Sequence, residues 1–167
     1  SAKVYKLLNR NALQHVLRFS LRNKMRDFNK REIIETITPV IENTAMRYGL
    51  IPLEISLEKE NNRWFLRIYI YSTNHPVSHL DCENLSRGID NMLDELIPFK
   101  YYLEVSSPGL DRKFKTEKEY IIFKGHDIVI KLKNSVEGIE EKTLNVMLLD
   151  YNESFGIKIL YKNKEFI

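Results

Sequence analysis

One cysteine is the whole thiol content of this chain. Cys82 cannot close an internal disulfide or build a thiolate metal site alone, so a reducing compartment is expected. Long apolar runs are missing as well. No stretch approaches the roughly 20 residues that a helical membrane span needs. There is no G-x-x-x-x-G-K-[ST] loop and no G-x-G-x-x-G, so nothing signals a nucleotide cradle. The G-x-S-x-G elbow is absent, although Ser106 and Ser107 stand at a turn as some nucleophiles do. The histidines His15, His75, His79 and His126 are scattered. His75 and His79 are four apart, but Pro76 and an N-cap at Ser78 keep them off one helix face, so no zinc pair is expected. Glu104 and Asp111 lack the third group and pocket signal that an acid/base pair requires. No catalytic residue, no metal and no cofactor is expected, and the chain does not read as an enzyme.

What is present points to a packed protein. Hydrophobic residues make up 43% of the 167 and charged residues 29%, enough for a buried core in one ordinary domain or two small ones. The net charge of +3 hides an asymmetry. Residues 1–31 hold nine of the 26 Lys and Arg and one acid, Asp27, which leaves the body mildly acidic. Clustered cations gain free energy by releasing counterions from a polyanion, so a nucleic-acid neighbour is suggested. Residues 1–26 contain no acid and read as a basic N-terminal extension. Three readings compete there: an RNA-contacting arm, a solvated helix or tail, and a leader. Met25 is a candidate older start.

The periodicity predicts an α-β-β-α-β domain over 27–106. A helix from Arg31 places Ile33, Ile37, Val40, Ile41, Thr44 and Tyr48 on one face. At Pro39 it either kinks or gives way to a second helix capped by Thr38, and Gly49 ends it. Leu53, Ile55 and Leu57 alternate with polar residues as in a half-buried strand. After a turn at Lys59–Asn62, Trp64–Tyr71 sends Leu66, Ile68 and Ile70 to the core. Phe65, Arg67, Tyr69 and Tyr71 face the other way. Ser78 and Asp81 mark a helix start, with Val77 and Cys82 as a staple. Its stripe is Cys82, Leu85, Ile89, Met92, Leu93 and Leu96. A strand at Lys100–Val105 completes two helices on one face of a sheet.

Residues 107–120 read as a linker or a short helix. Ser107, Pro108 and Gly109 form a turn, with Gly109 expected at positive φ. Arg112, Lys113 and Lys115 follow as a basic stretch. Residues 121–167 carry only short β runs separated by Asn134, Gly138, Asn152 and Gly156, which suggests a small antiparallel β-barrel. The fold class is therefore α+β.

Arg67, Tyr69 and Tyr71, with Tyr102 nearby, form a face that can stack on unpaired bases or meet a protein. The basic-Gly-aromatic strand of RNA-recognition motifs is absent, which favours the protein-facing alternative.

The segment Leu103–Arg112, LEVSSPGLDR, resembles the signature of the bacterial ribosome maturation factor RimP family. Pro39-Val40, Tyr48-Gly49-Leu50, Leu66–Ile70, Asp81-Cys82, Leu85-Ser86-Arg87 and Phe123-Lys124-Gly125 are similar to that family's other elements. The resemblance runs over roughly residues 30–167. It implies an N-terminal α/β domain, a short linker and a C-terminal barrel of Sm or SH3 type. The chain stops at Phe166-Ile167, about where a further barrel strand would be expected. It also implies late maturation of the small (30S) ribosomal subunit, with 16S-type rRNA and small-subunit ribosomal protein twelve as partners. Neither a cofactor nor turnover is implied. The expected partner- or RNA-binding residues are Arg67, Tyr69, Tyr71, Glu104, Asp111, Arg112, Lys113 and Lys115, with Ser107, Pro108 and Gly109 as the hinge. A monomer in the bacterial cytoplasm is expected, with an organelle matrix or stroma as the alternative. A general RNA-binding module outside the ribosome is the competing function.

Overall fold

The computed structural model describes residues 3–7, 29–109 and 112–167. The chain divides into two compact units, Ser1–Asp111 and Arg112–Ile167.

In the first unit, strand β1 (Lys3–Leu7) precedes helix α1 (Lys30–Arg47), strands β2 (Ile51–Glu60) and β3 (Arg63–Tyr71), helix α2 (His79–Leu96) and strand β4 (Tyr101–Ser106). The sheet order is β1-β4-β3-β2, with β3 and β4 parallel and the other pairs antiparallel. β1 is a finding that the periodicity did not signal: part of the basic extension is an edge strand along β4. The rest of the extension, 1–2 and 8–26, lies outside the described residues.

α1 is one helix that runs through Pro39. An interior proline costs about 3 kcal/mol through a lost hydrogen bond and a clash. Ile37 and Ile41 flank it and are fully buried. At about 1.5–3 kcal/mol each, their burial outweighs that cost. Asn29 caps the start by accepting from the Arg31 N–H at 3.1 Å. At the far end Gly49 has φ +67°, and Leu50 N–H donates to the Ala45 carbonyl at 2.9 Å, a Schellman closure. Tyr48, expected on the buried stripe, is exposed because it stands at the C-cap where the helix leaves the sheet.

α2 begins with a complete Ser78/Asp81 capping box. Cys82, Leu85, Ile89 and Leu93 are fully buried, whereas Met92 and Leu96 are exposed. Those two sit at the rim of the stripe, and the helix ends at Leu96. Where α1 meets α2, Gly88 is the close-contact residue. A Cβ there would lie 2.8 Å from Thr44 Cγ2. One core unites both helices with Leu57, Leu66, Ile68, Ile70, Leu103 and Val105 of the sheet. Asn61 and Asn62, both at positive φ, close the β2–β3 hairpin in a turn whose twist matches the strands.

The second unit begins at Arg112, so the basic stretch belongs with it. It contains the short helix α3 (Glu117–Ile122) and strands β5 (Asp127–Lys131), β6 (Thr143–Asn152), β7 (Gly156–Tyr161) and β8 (Lys164–Phe166). They form an antiparallel sheet in the order β5-β6-β7-β8. The expected barrel is corrected here: among the described residues β5 and β8 do not pair, and the sheet stays open. The three-residue β8 engages only Ile159–Tyr161 of β7, too short a ladder to close a barrel. Ile139, Leu144, Val146 and Ile159 form its small core.

Candidate partner interface

The helices cover one face of the first sheet, and alternation along β3 and β4 puts a polar and aromatic set on the other. Arg67 stands in register with Glu104 across the parallel pair and with Ser56 across the antiparallel one. Its guanidinium donates to both carboxylate oxygens of Glu60, at 2.5 and 3.0 Å, and to Glu104 Oε2 at 3.3 Å. It also lies over the Phe65 ring, 4.9 Å from the centroid. Phe65 stacks on Tyr102 at 5.2 Å, and Arg63 lies over Tyr102. The Arg67 guanidinium holds the Glu60 carboxyl below its ordinary range, chiefly by hydrogen bonding.

This wiring changes what Arg67 offers. The forked donor set that suits a phosphate is already engaged with two carboxylates, and a phosphate approaching it meets both. Glu104 is buried and acts as a strut for Arg67. Tyr69 and Tyr71 are half-buried on the same face, with Tyr69 in register with Ser106. The structure therefore gathers Arg67, Tyr69, Tyr71 and Glu104 on one sheet face. Ser106, weighed as a nucleophile, is buried in β4.

At the junction, Ser107 and Pro108 are half-buried and Gly109 is exposed. The positive φ expected of Gly109 is not found: positive-φ glycines among the described residues are 49, 125, 138 and 156. A Cβ at Gly109 would meet nothing within 4 Å, so a larger side chain has room there. Asp111 lies outside the described residues.

Arg112 and Glu119 form an ion pair in which Glu119 is fully buried. The same carboxylate accepts from Lys115 N–H at 2.7 Å, Thr116 N–H at 2.9 Å and the Thr116 hydroxyl at 3.3 Å. Residues 112–116 thus wrap one carboxylate, which also caps α3. Arg112 is an internal strut here, while Lys113 and Lys115 are exposed.

The linker reading of 107–120 rested on its basic residues and gave no role to Phe114 or Tyr120. Phe114 stacks on Phe123 at 5.1 Å and meets Tyr120 edge-on at 5.2 Å, and Tyr120 stacks on Tyr151 at 4.9 Å. The available signal was the interleaving of Phe114, Tyr120 and Phe123 with Lys113, Lys115, Lys118 and Lys124.

Among the described residues no group of His, Cys, Asp and Glu is placed to hold a metal, and no helix is long and apolar enough to cross a membrane. His75, weighed as a ligand, sits 3.0 Å from Asp81 of the capping box.

Residues 40–111 match the family model described as the RimP N-terminal domain. Over those residues the chain is similar to the N-terminal domain of the RimP family. The matched span runs from mid-α1 through the sheet to the Ser107–Asp111 junction and contains the Arg67 network. RimP proteins form a family of non-catalytic ribosome maturation factors.

Proposed function

We propose that this protein is a ribosome maturation factor that binds the immature small ribosomal subunit and assists its late assembly without catalysis. The match of residues 40–111 to the RimP N-terminal domain carries this reading. In it the first unit engages rRNA and its surroundings, and the second, an open antiparallel sheet, helps small-subunit ribosomal protein twelve into place. The free protein is a monomer of the bacterial cytoplasm.

Two features support a scaffold. The Glu60–Arg67–Glu104 clamp fixes side chains on the open sheet face before any partner arrives, which lowers the ordering cost of docking. The exposed Lys113 and Lys115 suit salt-sensitive contacts with phosphate. Sedimentation of the tagged protein on a sucrose gradient tests the reading. Co-migration with free small subunits and absence from whole ribosomes supports it. Salt-sensitive binding to unrelated RNA, with no subunit peak, would favour a general RNA-binding module instead.

A further inference from the structure

We infer that the free edge of β5 in the second unit is a self-recognition surface, on which a second copy of this chain lays its own β5 antiparallel, across a two-fold axis at Val129. The inference goes beyond the proposed ribosomal role and does not depend on it.

The backbone defines the edge. Leu132 N–H donates to the Lys142 carbonyl at 2.8 Å, and Leu148 N–H donates to the His126 carbonyl at 3.0 Å, so His126 and Leu132 both bond toward β6. Bonding direction alternates along an antiparallel strand, and Ile128 and Ile130 therefore direct their backbone groups to β6 as well. Asp127, Val129 and Lys131 direct theirs away from it. Among the described residues no other strand pairs with that side of β5. Side chains alternate too. Ile128 and Ile130 pack against the small core of this unit, whereas Asp127, Val129 and Lys131 are exposed, Val129 at 68%.

A row of open N–H and C=O groups pairs with any strand that fits, and charge commonly blunts such an edge. Here the charges suit a copy of the same strand. Asp-Ile-Val-Ile-Lys is symmetric about Val129, with opposite charges at its ends. An axis at Val129 sets it against the partner's Val129, and sets Asp127 against the partner's Lys131 at both ends of the ladder. Each opposed pair exchanges two backbone hydrogen bonds, so every outward group of the strand is used. Ile128 meets the partner's Ile130 on the inner face and joins the two small cores. Among the described residues Asp127 and Lys131 take no part in an ion pair of their own. Their neighbours across β6 are Met147 and Thr143, both uncharged. Beyond the strand the same axis sets Lys133 against Gly125 and Lys124 against Asn134, so like charges do not meet. The outer edge of β2 shows the contrast. Paired with itself about Ser56, it would oppose Glu54 and Glu58, and Pro52 has no N–H to give. A five-residue ladder is small beside a standard interface of about 1,600 Å², so the pairing is weak and the chain stays monomeric at micromolar concentration.

The test is sedimentation velocity of the full chain. The parent is expected to move from monomer toward dimer between about 10 μM and 1 mM. Asp127→Lys and Lys131→Asp each put like charges opposite one another at both ends of the ladder, and each should weaken self-association about ten-fold or more. Mixed in equal amounts, the two variants regain opposite charges at both ends and should associate as the parent does. Misfolding of either variant cannot produce that rescue. Amide hydrogen exchange locates the contact: protection at Asp127, Val129 and Lys131 should rise with protein concentration. A parent that stays monomeric at about 1 mM overturns the inference. So do single variants that self-associate like the parent, and a mixture that associates no better than either variant alone. A dimer whose added protection lies on another strand edge, or on the helices of the first unit, overturns it as well.

Discussion

Replacing Arg112 by leucine would strip the positive half from a pair whose carboxylate is fully buried. Glu119 would keep its Lys115 and Thr116 donors but lose its counter-charge. Breaking a buried pair on one side costs about 3–5 kcal/mol, because an uncompensated charge stays in low dielectric. The second unit spans Arg112–Ile167. At about 0.05–0.15 kcal/mol per residue, a unit of this size has a total stability of about 3–8 kcal/mol. The substitution is therefore expected to bring it close to unfolding while the first unit, with its own core, stays folded. Amide hydrogen exchange read by mass spectrometry separates the two. Protection should collapse across β5–β8 and persist in α1, α2 and β2–β4. Glu119→Gln, which keeps the acceptor geometry, should cost less. The double variant Arg112→Leu with Glu119→Leu should recover part of the loss, since no charge is left unpaired. Unchanged protection in β5–β8 for Arg112→Leu would mean that the buried pair does not support the second unit.

Other outcomes follow from the first unit. Gly88→Ala should destabilise it by about 1–2 kcal/mol in urea unfolding: the new methyl meets Thr44 Cγ2, and Thr44 is held in place by its hydroxyl bond to the Val40 carbonyl at 2.9 Å. That loss exceeds the gain in helix propensity from replacing glycine. The Asp81 carboxyl is held below its ordinary value, first by the Ser78 backbone N–H. Its contribution is present above the unfolded value near 3.8 and lost as pH falls through the lower folded one. Asp81→Ala should thus cost about 1 kcal/mol at pH 7, and the difference from the parent should fade in the acid limb of a pH series. Burial pushes the Cys82 thiol up to about 11, so iodoacetamide should label it only in the unfolded protein. Gly109→Val should leave the unfolding free energy within about 0.5 kcal/mol of the parent, as expected for an exposed site with open space around it.

Much of the first unit is legible in local chemistry. The period-2 pattern of Leu66, Ile68 and Ile70, the Ser78/Asp81 box and the glycine stop at 49 each act within a few residues, and each appears where those residues stand. The unread parts depend on distant partners. β1 is set by the free edge of β4, about 100 residues away in the chain. Arg67 looks like a phosphate ligand until Glu60 and Glu104 are seen to saturate it. Arg112 looks like an exposed cation because Glu119, its partner, hides in a six-residue helix. The closed barrel failed for a similar reason: strand count follows from alternation, whereas closure requires pairing between the first and last strands.

A role in small-subunit maturation makes a demand on the cell that depletion of the protein, with the ribosomal particles profiled on a gradient, reads out. Free small subunits should then be in excess, carrying unprocessed small-subunit rRNA and deficient in ribosomal protein twelve, with recovery on re-expression. A profile unchanged by depletion, with mature rRNA in every small subunit, would contradict it.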